Sequence, residues 1–146
     1  MSTSTATVIA DRFGAPLPRG LREQVGTLTW ERFIVTYGPT SGPVRLGRWA
    51  HTGPGSYQAT LAVGDHIDTA TVTACGPLAA LTAMLHGRGI ALEMLRFHQL
   101  TSGDHTATFI EGTDGRRARW AMGWSTDATE SALSAVIACA NRLQAG

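Results

Sequence analysis

The chain has 146 residues, 43% of them hydrophobic, and a net charge of +1, so one globular domain with a sizeable core is expected and no strong field steers nucleic acid or an anionic membrane surface. No apolar stretch approaches the roughly 20 residues of a membrane-spanning helix, and the Ser/Thr-rich start has no basic segment of the secretory kind. Cys75 and Cys139 sit in different contexts, so a disulfide is not expected and a reducing cytoplasm fits.

Residues 1–10 are expected to be disordered, and residues 11–43 to form a linker-like helical segment. Pro16 and Pro18 open a short helix over Leu17 to Val25. Trp30, Phe33, Ile34 and Tyr37 recur at helical spacing behind Thr29, a good N-cap. Gly38, Pro39, Gly42 and Pro43 then mark a loop.

Residues 44–146 change to a strand pattern. Val44 to His51 reads as a strand closed by a Gly-Pro-Gly turn. In Ser56 to Val63, alternation puts Tyr57, Ala59, Leu61 and Val63 on one face. Ile67 to Ala74 is Thr-rich and β-branched, a third strand. Gly76-Pro77 begins a helix whose stripe is Leu78, Leu81, Met84 and Leu85, and Gly87 and Gly89 end it.

The order then repeats. Ile90 to His98 is expected as a strand, Thr101 to Asp104 as a loop, His105 to Glu111 as a strand and Gly112 to Gly115 as a hairpin turn. Arg116 to Trp124 is the last strand, with Arg117 and Arg119 outward and Ala118 and Trp120 inward. Asp127 and Glu130 form a capping box for a final helix with the stripe Leu133, Val136, Ile137, Ala140 and Leu143. The fold expected is α/β (α+β): two strand-strand-strand-helix units related by pseudo-two-fold symmetry, preceded by short linker helices. Each sheet would bury one face against a helix.

Several residues invite chemistry. Cys75 stands at a helix start, where a thiol can serve as a nucleophile or redox site. No neighbouring base is evident, and the plainer reading is a small residue tolerated at a cap. Asp65, His66 and Asp68 lie on a turn into an exposed strand, the ordinary place for polar side chains, so no metal site is expected. Arg116, Arg117 and Arg119 lack the interleaved aromatics of a nucleic-acid surface. Gly112 to Gly115 has no Gly-Lys pair for a phosphate loop.

Short segments of the chain carry a family resemblance. Thr73 to Leu81, through Cys75-Gly76-Pro77, resembles the Gly-Asn-Gly-Pro segment that leads into the first helix of the regulatory domain of 2-isopropylmalate synthase. Leu92 to His98, Thr106 to Glu111, Trp120 to Trp124 and Ser131 to Arg142 resemble its later strands and final helix. Asp11 to Arg19 and Trp30 to Phe33 are similar to the segments after the catalytic barrel. The resemblance implies an allosteric, leucine-binding, dimerisation domain of leucine biosynthesis, here standing alone without the barrel. The five histidines include no His-x-His metal motif, so the chain's status as an enzyme stays open and leans to no.

Carried across, the resemblance implies a ligand-binding pocket of Cys75, Gly76, Leu78, Ala79, Met94, Phe97, Asp104, Thr106 and Trp124, with no catalytic residue, metal or cofactor. A helix start with free N–H groups suits an amino-acid carboxylate. The implied ligand is leucine or a related branched-chain amino or 2-oxo acid. The implied partners are a second copy, as a homodimer, and a full-length 2-isopropylmalate synthase; no nucleic acid and no membrane are expected. Two alternatives stay open: a structural dimerisation partner whose pocket Trp124 and Thr106 fill, and a repurposed small enzyme of a specialised biosynthetic pathway using Cys75, Asp104, His98 or His105.

Overall fold

A computed structural model describes residues 17–25 and 28–145. The expected disorder over residues 1–10 lies outside them. Two short helices come first, α1 (Arg19–Val25) and α2 (Trp30–Tyr37). Thr29 caps α2 as its sequence predicts, its Oγ1 accepting the Arg32 N–H at 3.1 Å. There follow β1 (Val44–Gly53), β2 (Ser56–Val63), β3 (His66–Thr73) and α3 (Pro77–Gly87), then β4 (Glu93–Ser102), β5 (His105–Thr113), β6 (Ala118–Ser125) and α4 (Ala128–Ala145).

The two βββα units each form a three-stranded antiparallel sheet, in the orders β1-β2-β3 and β4-β5-β6. This is the mixed α/β architecture expected from the doubled pattern. In the first sheet, Tyr57, Ala59 and Leu61 all point into the core, as their alternation requires. There they join Leu81, Met84 and Leu85 of α3 and Val136, Ile137 and Ala140 of α4. Most of β3 is exposed, with Ile67 outward.

The second sheet differs from expectation, because helices cover both of its faces. Ile110 and Ala121 pack with α4. The residues that alternate with them, Phe109, Trp120 and Met122, pack with Leu17 and Leu21 of the first helical segment and Phe33 and Tyr37 of α2. The outward side of β5 and β6 is thus the floor of a second core. Close approach on the α4 side depends on Gly123, where an added Cβ would lie 1.8 Å from the Ser131 carbonyl oxygen.

Three strand boundaries also need correction. Ile90 and Leu92 do not begin β4. The Ile90 N–H bonds the Leu85 carbonyl at 2.9 Å and the Gly89 N–H bonds the His86 carbonyl at 3.1 Å. With Gly89 at φ +81°, this is a Schellman stop for α3, and Ile90 is buried beside the helix it ends. At the other end, Thr101 and Ser102 belong to β4, leaving only Gly103-Asp104 as the turn into β5. Arg116 and Arg117 precede β6; both backbone N–H groups bond Asp114 Oδ1 at 2.9 Å. Ala118 is exposed and Arg119 half-buried, the reverse of the expected pattern.

Candidate functional site

The start of α3 is built differently from the start of α4. Asp127 Oδ1 accepts the Glu130 N–H at 2.8 Å. Ser125 links the rest of that cap, accepting the Asp127 N–H and donating to Glu130 Oε2. The α3 start has Gly76 as N-cap, with no side chain to offer, and Pro77 in the first turn, with no N–H. The N–H groups of Leu78 and Ala79 are therefore left without an intrahelical or side-chain partner among the described residues. They carry the positive end of the helix dipole.

This open start lies in a cleft of about 400 Å³. Cys75, Gly76, Pro77, Leu78 and Ala79 form one wall, Phe97 and Gln99 of β4 another, and Ala128, Thr129 and Ala132 of α4 a third. Its size falls within the range of small-molecule sites, roughly 300–1,000 Å³. Apart from Gln99 and the thiol and hydroxyl of Cys75 and Thr129, its side chains are apolar. Gln99 is held firmly: its Nε2 donates to Thr108 Oγ1 and to the Ala128 carbonyl, both at 3.0 Å. That orientation turns the amide nitrogen to the protein and leaves Oε1 without a partner among the described residues. Ser131 completes the support, bonding Thr108 Oγ1 and the Thr106 carbonyl, each at 2.8 Å.

Five of the nine residues singled out from sequence, Cys75, Gly76, Leu78, Ala79 and Phe97, line this cleft. The other four stand elsewhere in the chain. Met94 lines a neighbouring cleft that shares Leu78 and Ala79 and extends to His86. Asp104 is at the β4–β5 turn, where a 2.8 Å bond from His105 Nδ1 holds its carboxyl below the usual carboxylate range. Thr106 pairs with Thr101 and Ser125 within the sheet. Trp124 stacks on His105 at 4.8 Å and meets Trp30 edge-on at 5.4 Å. It also lines a larger cleft of about 520 Å³ between β1 and the start of α4, opposite Trp49.

Gln99, Thr129 and Ala132 are residues that sequence reasoning did not select. Gln99 looks like any polar residue on an exposed strand, and its role emerges only from the pairing of β4 with β5 and the placing of α4. Among the described residues, no histidine or carboxylate lines the cleft with Cys75. The described residues contain no group of three or more His, Cys, Asp or Glu that could hold a metal ion. None of the described helices is long and apolar enough to cross a membrane.

Comparison with known proteins gives one consistent answer. The chain is 30% identical over 129 residues to the 2-isopropylmalate synthase of Renibacterium salmoninarum, covering 77% of this chain and 22% of that protein. It is 29% identical over 136 residues to that of Arthrobacter sp. strain FB24, covering 82% and 23%. Over a shorter span of 88 residues it is 36% identical to that of Leifsonia xyli subsp. xyli. No family model matches the chain. The chain thus spans under a quarter of the length of the first two relatives. The residues matched make the chain a homologue of one domain-sized segment of these 2-isopropylmalate synthases.

Proposed function

We propose that the chain is a non-catalytic regulatory and dimerisation module that binds leucine or a related branched-chain amino or 2-oxo acid. The observation that carries this reading is the uncapped start of α3 opening on an apolar cleft. A ligand carboxylate would accept from the Leu78 and Ala79 N–H groups, where the helix dipole favours negative charge. Its branched side chain would lie among Leu78, Phe97 and Ala132. Gln99 Oε1 would accept from an α-ammonium. Trp124 and Thr106 are not among the residues lining the cleft, which disfavours the reading of a pocket closed by those two side chains. The absence of a base beside Cys75 among the lining residues likewise disfavours a nucleophilic enzyme.

Dimerisation is proposed through the edge strand β4, where Leu95 and Phe97 are 51% and 41% exposed. Phe97 also lines the cleft, so a second copy on this edge would enclose the ligand. Binding that favours one dimer arrangement would be read by a partner, for which a full-length synthase is the candidate. A thermal-shift series with leucine, isoleucine, valine and their 2-oxo acids tests the reading. Ligand at 100 times its Kd should stabilise the fold by about 2.7 kcal/mol. A flat response to all six at millimolar concentration would sink it.

A further inference from the structure

Another cleft lies at the opposite end of α4. It has a volume of about 410 Å³ and is bounded by Thr36 of α2, the Pro39 to Pro43 loop, Arg119 of β6 and Arg142 of α4. Arg142 is half-buried. Its guanidinium lies 4.4 Å from the centre of the Tyr37 ring and donates to the Trp120 carbonyl. Arg119 Nη1 donates to the carbonyl of Ala118 at 3.0 Å. Neither has an acidic partner: the ion pairs among the described residues are Arg96–Glu111 and His105–Asp104.

Two guanidinium groups thus share one cleft without a counter-ion among the described residues. Burial lowers the pKa of Arg142; the Tyr37 hydroxyl opposes this, and the charge of Arg119 adds to it. Arginine stays charged in proteins, so this unfavourable placement cannot be relieved by losing a proton. The carbonyl groups at the end of α4 offset part of it. Part of that capacity is already used by Arg117, whose Nη2 donates to the Leu143 carbonyl at 2.8 Å. An anion relieves the remainder, and the planar donor fork of arginine matches the paired oxygens of a carboxylate or phosphate.

We propose that this cleft binds a small oxyanion, a carboxylate or phosphate group, bridged between Arg119 and Arg142 at the junction of the α1–α2 segment with the first sheet. The position gives such binding a consequence. Asn141, next to Arg142, bonds the carbonyls of Pro39 and Val44 and so anchors the loop that forms one wall. An anion there ties the end of α4 to the link between the leading helices and β1. This site is separate from the α3 cleft, so its test does not depend on leucine binding.

The test is a thermal-unfolding and calorimetric titration of the full chain with inorganic phosphate and, separately, malonate. Ionic strength is held constant with sodium chloride near neutral pH. The wild type should show a saturable stabilisation by at least one of the two, and which one responds identifies the anion chemistry. Arg119→Gln, a change on the rim, should weaken that affinity at least tenfold while leaving the ligand-free melting temperature close to that of the wild type. Arg142→Lys, which keeps the charge and loses the fork, should also weaken it. Equal responses in wild type and Arg119→Gln would overturn the proposal, since salts excluded from the protein surface stabilise folds generally. No saturable response to either anion, or binding only of an acidic peptide such as poly-glutamate, would overturn it as well.

Discussion

Asn141 Oδ1 accepts the backbone N–H of Val44 at 2.8 Å, joining residues 97 positions apart. Its Nδ2 donates to the carbonyls of Val44 at 2.9 Å and Pro39 at 2.6 Å. One buried amide therefore satisfies the start of β1 and the loop before it from the last turns of α4. Asn141→Ala removes all three bonds and leaves the Val44 N–H buried without a partner. The expected loss is on the order of 3 kcal/mol, read as a lower midpoint in urea with an unchanged slope. Asn141→Asp should fall in the same direction, because a carboxylate cannot donate to either carbonyl.

The contact of β6 with α4 is equally exacting. A Cβ at Gly123 would lie 1.8 Å from the Ser131 carbonyl oxygen and 2.7 Å from the Ala135 nitrogen, both backbone atoms that cannot turn aside. Gly123→Ala is expected to separate helix from sheet and cost at least about 3 kcal/mol. Gly76→Ala is the matched control: its backbone is extended and an added Cβ meets nothing within 4 Å. Circular dichroism melts should show a large drop for the first and little change for the second.

The two thiols should behave as opposites. Cys75 is exposed and Cys139 is buried, so an aromatic disulfide reagent should label Cys75 quickly in the native protein and Cys139 only on unfolding. Burial pushes the Cys139 thiol up from 9.0 to about 11. The unfolded chain then loses this proton at lower pH than the folded one. The associated stability is whole below pH 9 and is lost as pH rises towards 11, by roughly 3 kcal/mol. Tyr37, raised first by burial, acts in the same direction. Cys139→Ala should flatten the alkaline part of a stability–pH profile, and an unchanged slope would refute the assignment.

Gln99 should separate amino acids from oxo acids. Its Oε1 can accept from an ammonium group, which a 2-oxo acid lacks. Gln99→Leu is expected to weaken leucine binding about tenfold relative to any change for the matching oxo acid, the worth of one charge-assisted hydrogen bond. Calorimetry on both ligands with both proteins reads the difference, and equal losses would contradict the assigned role.

Local signals made much of this fold legible before its structure. Strand β2 lies where the alternation of Tyr57, Ala59 and Leu61 put it, and α3 begins at Pro77 behind Gly76. Ile90 misled because a buried apolar residue next to a glycine fits a strand start as well as a Schellman stop. Only the bond to the Leu85 carbonyl tells the two apart. The second face of the β4-β5-β6 sheet was hidden for a related reason. Apolar residues on both faces of a strand do not say what will cover them, and here Trp120 meets the leading helices while Ala121 meets α4. The α3 wall of the cleft was readable from Gly76-Pro77. Gln99 and Ala132 were not, because they reach that wall only through sheet pairing and helix packing.

The most direct test of ligand capture at the α3 start is an amide chemical-shift titration of the ¹⁵N-labelled chain with leucine and with its 2-oxo acid. The N–H groups of Leu78 and Ala79 should shift first and saturate, joined by Phe97 and Ala132, while Asp104 at the far turn stays still. No saturable change at Leu78 and Ala79 at millimolar ligand, or changes confined to residues outside the cleft, would contradict it.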